Sequence, residues 1–206
     1  MLGPELVGEL VRVRPLAERD ADRTWELVQD AEALRLTGTT TQFTRVQVDE
    51  WTRTISDQPG RYDFAITSAV QRDGVYVMDE MIGEVVLTDV DDARRSAQLR
   101  LNMLPNYRGR GYGGDAIQSI LDWAFDPDAL GLHRVSLEVL SINPRARMLY
   151  ESQGFRREGV LRDAARDGDG FCDVLVMSIL EHEHEHEGRP QGAGPAPDDE
   201  LRDRHS

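Results

Sequence analysis

The amino-acid sequence predicts an α+β (mixed α/β) fold on three observations. Strand-like runs occur in pairs joined by short polar links, at 62–70 with 75–78, 81–90 with 96–104 and 155–161 with 171–180. Apolar residues at helical spacing separate these pairs, most clearly at 116–125. One strand–helix–strand unit is visible, over about 97–141, which disfavours a sheet made of repeated parallel units.

Local signals predict the remaining elements: a strand at 10–14, helices at about 19–33, 44–56 and 143–154, and a strand at 133–141. Thr44-x-x-Gln47 is a capping-box pattern, which opens a helix. Asn143 and Pro144 are favoured at a helix N-cap and first turn, and Gly154 is favoured just after a helix ends.

Composition excludes several classes of protein. The net charge of −14 argues against nucleic-acid partners, which require a basic surface, and against anionic membranes. No apolar run reaches the ~18 residues of a membrane span. The first residues lack the basic and apolar regions of a secretory signal. Because Cys172 is the single cysteine, we expect no internal disulfide and a cytoplasmic location.

Residues 1–180 are predicted to form one domain, followed by an acidic, His- and Pro-rich tail at 181–206. The tail has almost no apolar side chains, so it cannot offset the entropy of ordering and is predicted to be disordered. His182, His184 and His186 would share one face of a strand, but in a coil they would bind a metal only adventitiously. We predict no functional metal site.

The loop NYRGRGYGG at 106–114 fits two patterns for binding a diphosphate. Gly109, Gly111 and Gly114 satisfy the G-x-G-x-x-G of dinucleotide sites, whereas Arg108, Gly111 and Gly113 satisfy the R-x-x-G-x-G that holds the pyrophosphate of coenzyme A. Both present N–H groups at a helix N-terminus. A dinucleotide fold needs an apolar strand before the loop, but this strand alternates polar and apolar residues. Coenzyme A is therefore favoured, with a purely structural turn as the alternative.

Three segments resemble one family. LPNYRGRGYGGDAIQSILDWAF is similar to the acyl-CoA motif of the GNAT (Gcn5-related) N-acetyltransferases, and INPRARMLYESQGFRREGVLRD is similar to their next motif. VRVRPLAERDAD resembles the start of the subfamily that acetylates ribosomal-protein N-termini and related amines. The resemblance covers about 10–180. It implies a strongly bent, mostly antiparallel sheet of six or seven strands flanked by about four helices, with two strands splayed into a V for the cofactor.

The resemblance implies acetyl-CoA as co-substrate, without a metal. The backbone of Met103 and Leu104 would pair with pantetheine, and Arg108 and Arg110 would add charge beside the pyrophosphate or else be solvated. Asn143 would contact the pantetheine arm, cap a helix, or both. Arg145 and Arg147 would lie near the 3′-phosphate or simply at the surface. The implied cofactor-binding set is Met103, Leu104, Arg108, Gly109, Arg110, Gly111, Tyr112, Gly113, Gly114, Asn143 and Arg147.

Two residues are the catalytic candidates. Tyr150 lies seven positions after Asn143, where many family members place a tyrosine near the thioester sulfur, and a phenol can donate a proton to the departing thiolate. Its alternative role is ordinary aromatic packing. Glu84 is the candidate base, in an apolar strand that would raise its pKa; its alternative is a solvent-facing glutamate. Gln98 lies where relatives often carry glutamate, so that base would be missing here.

The expected function is acetyl transfer to a primary amine by direct attack in a ternary complex. The acceptor would be a protein N-terminus, a polyamine or an amino sugar, selected by residues of about 20–60. An acidic group would suit a cationic acceptor or would be a solvated loop: Asp79, Glu80, Asp89, Asp91 and Asp92. The alternatives are a non-catalytic acyl-CoA-binding module and a nicotinamide oxidoreductase. A homodimer is possible, since dimers are common among relatives.

Overall fold

The computed structural model describes residues 1–184. In that range the chain forms ten strands and five α-helices: β1 (Leu6–Val7), β2 (Val11–Pro15), α1 (Ala21–Gln29), α2 (Ala31–Leu36), α3 (Arg45–Thr54), β3 (Tyr62–Ser68), β4 (Gln71–Arg72), β5 (Val75–Tyr76), β6 (Gly83–Asp91), β7 (Ser96–Met103), α4 (Tyr112–Phe125), β8 (Arg134–Leu140), α5 (Pro144–Ser152), β9 (Arg156–Asp167) and β10 (Gly170–Leu180). Residues 185–206 of the predicted tail lie outside this range, and the domain boundary stays a prediction.

Eight strands form one sheet in the order β1-β2-β3-β6-β7-β8-β10-β9, and β4 pairs with β5 in a separate ribbon. Neighbours in the large sheet are antiparallel except β7 and β8, which are parallel. The predicted α+β fold is thus confirmed, with eight strands instead of six or seven and five α-helices instead of four.

The parallel pair β7–β8 opens into a V. Residues 96–98 of β7 pair with 134–136 of β8, and the described residues form no further pair between these strands. The remaining residues of β7, 99–103, and of β8, 137–140, therefore border the predicted splay between two central strands.

The sheet has one apolar and one partly polar face. Side chains such as Phe64, Val85 and Leu99 pack against α4 in the main core. Residues directly opposite each other in an antiparallel pair lie on the same face, and Glu84 is opposite Asn102 of β7. The face that carries Asp63, Glu84, Arg100 and Asn102 is called the polar face below.

Several predicted boundaries needed correction. The helix predicted at 19–33 is two helices, because the backbone of Asp30 is extended and its carboxylate caps α2 by accepting the N–H groups of Glu32 and Ala33. Gln71 and Arg72, predicted as a turn, form β4, which pairs with β5. The last hairpin is longer than predicted, since β9 reaches Asp167 and only two residues separate it from β10.

Other local predictions are confirmed. The Thr44 hydroxyl accepts the N–H of Gln47, whose side-chain oxygen accepts the N–H of Thr44. Asn143 caps α5, and Gly154 follows that helix with a φ of 88°. Among residues 1–184, every helix is too short or too polar to cross a membrane.

Candidate active site

The glycine-rich loop ends in an exposed helix N-terminus at the V. Gly109 and Gly111 have φ of 74° and 87°, the left-handed region that only glycine adopts without strain. The first helical backbone bond of α4 runs from the Asp115 N–H to the Gly111 carbonyl, so the N–H groups of Tyr112, Gly113 and Gly114 have no partner within the helix. This end of α4 is suited to an anion such as a pyrophosphate.

Gly113 lets α4 pack closely on its neighbours. A Cβ at Gly113 would lie 3.0 Å from Leu101 Cδ2 and 3.6 Å from Leu149 Cδ2. Leu101 belongs to β7 and Leu149 to α5. The missing side chain therefore brings the helix N-terminus against the V, between the strand and α5.

Asp115, which the sequence did not single out, anchors this first turn. Its carboxylate accepts the N–H groups of Glu9, Leu10 and Val11, at 3.1, 2.8 and 2.8 Å. Three donors satisfy the negative charge, so it can stand near an anion site. An acidic residue in the first turn of a helix was the available signal.

Arg108 is engaged in contacts within the protein. Its Nε donates to the Met103 carbonyl at 2.9 Å, and its guanidinium forms ion pairs with Asp30 and with Glu32, the latter at 2.8 Å. The Arg108 side chain is 16% exposed. It therefore joins the end of β7 to the start of α2 through three of its five N–H donors, and its phosphate contact stays a prediction.

Two other arginines lie in or beside the loop without a carboxylate partner. Arg110 is exposed in the loop, and a Cβ at Gly109 would lie 3.3 Å from Arg145 Nη2. No carboxylate of residues 1–184 forms an ion pair with either arginine. Arg147 instead pairs with Glu151 at 3.4 Å, so Arg145 is better placed than Arg147.

The backbone along β7 decides which groups face the V. Leu104 donates its N–H to the Ile82 carbonyl, and its own carbonyl accepts the N–H of Tyr107. The Leu104 N–H is therefore already used within the sheet, and its contact with pantetheine stays a prediction. Hydrogen-bonded pairs alternate in an antiparallel ladder, so the N–H groups of Leu101 and Met103 face away from β6, into the V. The Met103 carbonyl is held by Arg108, which leaves the Met103 N–H.

Asn143 is engaged within the protein. Its side-chain oxygen accepts the Ala146 N–H at 3.1 Å, and its Nδ2 donates to the Leu36 carbonyl at 3.4 Å. The capping role is present, and the same side chain ties α5 to the end of α2.

Glu84 is half-buried in the centre of the polar face. It lies between Ala65 of β3 and Asn102 of β7. Burial raises the pKa of Glu84 to about 7, with a further upward contribution from Asp63, while Arg100 and Arg61 lower it. A carboxylate that titrates near neutral pH can accept a proton in catalysis.

Tyr150 lies on α5, the helix that follows β8, and belongs to the main core cluster. It is buried, 6% exposed, with its ring edge-on to Phe155. Burial raises the pKa of Tyr150 to about 12, against a lowering contribution from Arg100. None of the residues 1–184 hydrogen-bonds its hydroxyl, so the phenol can donate to a ligand.

The five acidic residues considered above do not form one cluster. Asp79 forms ion pairs with Arg12, Arg14 and Arg19, and Glu80 pairs with Arg23. The other three line a cavity of about 630 Å³ where β7 and β8 are still paired; its lining includes Asp89, Asp91, Asp92, Gln98 and Ser136.

The splayed parallel pair with a glycine-rich helix N-terminus beside it is the arrangement that the sequence resemblance implied. A model described as the acetyltransferase (GNAT) domain matches residues 11–156, and the chain belongs to this family. The chain is an N-acetyltransferase, which uses an acyl-CoA co-substrate and an amine acceptor.

Three relatives illustrate the similarity. The chain is 26% identical to the spermidine N(1)-acetyltransferase of Escherichia coli K12 over 84% of this chain and 87% of that protein. It is 25% identical to the "Putative ribosomal N-acetyltransferase YdaF" of Bacillus subtilis, over 86% of this chain and 94% of that protein. A crystal structure of Vibrio cholerae spermidine N-acetyltransferase with CoA and spermine aligns with a TM-score of 0.73 and 25% identity. The alignment covers 84% of this chain and 96% of that chain. A cytoplasmic location and a homodimer stay predictions.

Proposed function

We propose that this enzyme transfers the acetyl group of acetyl-CoA to a primary amine of a small molecule by direct attack in a ternary complex. The observation that carries the proposal is that Glu84 lies opposite Asn102 of β7, the strand whose Met103 N–H faces the V, and that Tyr150 belongs to the same core cluster as Met103. Relatives named for spermidine favour a small-molecule amine over a protein N-terminus.

On the cofactor side, the N–H groups of Tyr112, Gly113 and Gly114 would bind the pyrophosphate. Arg110 and Arg145 would add positive charge to this site. Pantetheine would extend along β7, where the N–H groups of Leu101 and Met103 face the V. An N–H at Met103 would also stabilise the oxyanion that develops when the thioester carbonyl is attacked.

Glu84 would act as the general base. An ammonium group cannot attack a carbonyl, so its proton must leave before the new C–N bond forms. A base with a pKa of about 7 is half-ionised at neutral pH and still accepts a proton effectively. The carboxylate would take the proton directly or through a water molecule.

Tyr150 would serve the leaving sulfur. Transfer of its proton from a pKa of about 12 to a thiolate whose acid has a pKa of ~8.5 is unfavourable by ~5 kcal/mol. Tyr150 therefore acts first as a hydrogen-bond donor that stabilises the thiolate as the C–S bond breaks. The thiolate finally receives the proton that the amine has released.

Direct attack needs no acyl-enzyme. Cys172 lies in a small apolar cluster with Leu140 and Val174, and burial raises the pKa of its thiol. A thiol that stays protonated is a poor nucleophile.

The test measures CoA thiol release from acetyl-CoA across a panel of primary amines, with the wild type and Tyr150→Phe. We expect release that depends on the amine and intersecting initial-velocity patterns. Tyr150→Phe should lower kcat about 10- to 100-fold while calorimetric affinity for acetyl-CoA and Tm stay nearly unchanged. Parallel velocity patterns would contradict direct attack, and binding without release for any amine would instead indicate a non-catalytic module.

A further inference from the structure

Arg100 is a cation without a protein partner on the polar face. It lies on β7 two residues before Asn102, and Asn102 is opposite Glu84. Glu84 and Arg100 are therefore diagonal neighbours, with Cα atoms ~7–8 Å apart and side chains on the same face. Arg100 is exposed, and no carboxylate of residues 1–184 pairs with it.

Other arginines around this region are neutralised. Arg14 pairs with Asp20, Arg61 with Asp63, and Arg108 with Asp30. Among strands β3, β6 and β7, the polar face with Glu84 ionised carries as much positive as negative charge, since Glu84 and Asp63 are matched by Arg100 and Arg61. Glu138 of β8 adds one further carboxylate to this face, two residues beyond the Gln98–Ser136 pair and across the V from β7. Next to Glu84 itself, this surface does not favour a polycation.

The acidic residues that could hold a polycation lie elsewhere. Asp79 and Glu80 are already paired with arginines. Asp89 and Asp91 are five and seven residues beyond Glu84, or about 17 and 23 Å along an extended strand. A small amine whose nitrogen reaches Glu84 would meet Arg100 before it meets these carboxylates.

We propose that the acceptor is an amine that also carries an oxyanion group, a carboxylate or a phosphate, and that Arg100 binds this group while the amine reaches Glu84. This inference rests on the proposed function. The planar guanidinium matches such groups with two parallel hydrogen bonds. Arg100 also lowers the pKa of both Glu84 and Tyr150, so its charge reaches both sides of the reaction centre.

The experiment compares kcat/KM for amines that differ in the group at the far end of the molecule. The first set is 4-aminobutyrate, n-butylamine and 1,4-diaminobutane, which carry a carboxylate, no charge and a second amine. The second set is 2-aminoethyl phosphate and ethylamine, which test phosphate in place of carboxylate. Assays are run well above the pKa of Glu84 for the wild type, Arg100→Gln, Arg100→Glu and Arg72→Gln. The readout is the ratio between amines, because any effect of Arg100 on Glu84 acts on each amine and cancels. Arg72, exposed in the β4–β5 ribbon, is the control.

We expect the wild type to prefer an oxyanion-bearing amine over its neutral match. Arg100→Gln should reduce that preference about 10- to 100-fold, the range of one charge-assisted hydrogen bond. Arg100→Glu should shift preference toward 1,4-diaminobutane, and Arg72→Gln should leave the ratios unchanged. Equal or better use of 1,4-diaminobutane by the wild type, or an equal loss for all amines in Arg100→Gln, would overturn the inference alone. Absence of thiol release with every amine would overturn the proposed function with it.

Discussion

The glycine-rich loop and the polar face border the same V but offer different kinds of groups. The loop offers backbone N–H groups, while its Arg108 side chain joins β7 to α2. The polar face offers side chains: Glu84, Arg100 and Asn102 project from neighbouring strands.

The difference shows how one fold can keep a co-substrate and vary an acceptor. Backbone groups depend on the chain's path, so most side chains of the loop can change without loss of binding. Side chains on a strand face can be replaced singly without moving the strand. Acceptor choice is therefore expected to depend on few residues, and cofactor binding on the geometry of the whole loop.

The largest effect is expected for Glu84→Gln on the polar face. Loss of the base should lower kcat/KM about 10²- to 10⁴-fold near neutral pH, and the limb of the pH profile near 7 should disappear. The exposed Glu18, which precedes α1 and lies outside the strands of the V, is the control, and Glu18→Gln should keep the wild-type profile. A limb that persists in Glu84→Gln would assign the base to another group.

The same substitution should stabilise the fold. The pKa of Glu84 is raised from 4.5 to about 7, so the wild type loses stability as the pH rises through that interval. Glutamine avoids this loss, and the free energy of unfolding should increase by up to about 3 kcal/mol above pH 7, with no gain below pH 4.5. Denaturant unfolding of the wild type and Glu84→Gln, once above pH 7 and once below pH 4.5, measures this difference in the free energy of unfolding.

A smaller effect on activity is expected at Arg108, which joins the glycine-rich loop to the end of β7. Arg108→Gln leaves Asp30 and the Met103 carbonyl without their partner, so we expect about 3 kcal/mol of destabilisation and a higher KM for both substrates. Arg110→Gln, which removes an exposed charge from the loop, should raise only the KM for acetyl-CoA, by a few-fold, with a weaker dependence on salt. Equal effects of the two variants on both KM values would show that Arg108 does not connect the regions.

The smallest effect is expected for Gly109→Ala, which tests the backbone conformation of the loop. Gly109→Ala forces a side chain into a φ of 74°, and Gly74→Ala does the same at 75° in the ribbon. Each should cost about 1–2 kcal/mol of stability, but only Gly109→Ala should raise the KM for acetyl-CoA. Because the two glycines have nearly the same φ, the two variants carry the same backbone strain, and a difference in KM reports acetyl-CoA binding. A raised KM for acetyl-CoA in Gly74→Ala would refute the assignment of the loop as the acetyl-CoA site.

Local signals were sufficient for much of the fold. Thr44 and Gln47 were recognisable as a cap because their interaction spans three residues, and the glycine pattern located the start of α4 before any contact was known. The break at Asp30 was missed because a continuous apolar pattern hides a cap within a helix. The strand β4 was missed because two polar residues carry no strand periodicity.

The roles of the arginines could not be predicted in the same way. Arg108 was expected at a phosphate because its position matches a motif, but its partners Asp30 and Glu32 lie 78 and 76 residues away in the chain. Arg100 carried no motif, and its relation to Glu84 follows from the register of two strands. Neither relation is encoded by spacing within a segment.

The sequence by itself determined the α+β class and the position of the glycine-rich turn before α4, since capping, periodicity and backbone freedom act over a few residues. Its resemblance to a family supplied the two catalytic candidates. Only the tertiary structure decided which arginines are already paired, which backbone groups of β7 face the V and which charge stands beside Glu84. These outcomes depend on strand register and on contacts between distant segments, where burial and pairing energies are set by neighbours that local sequence does not specify.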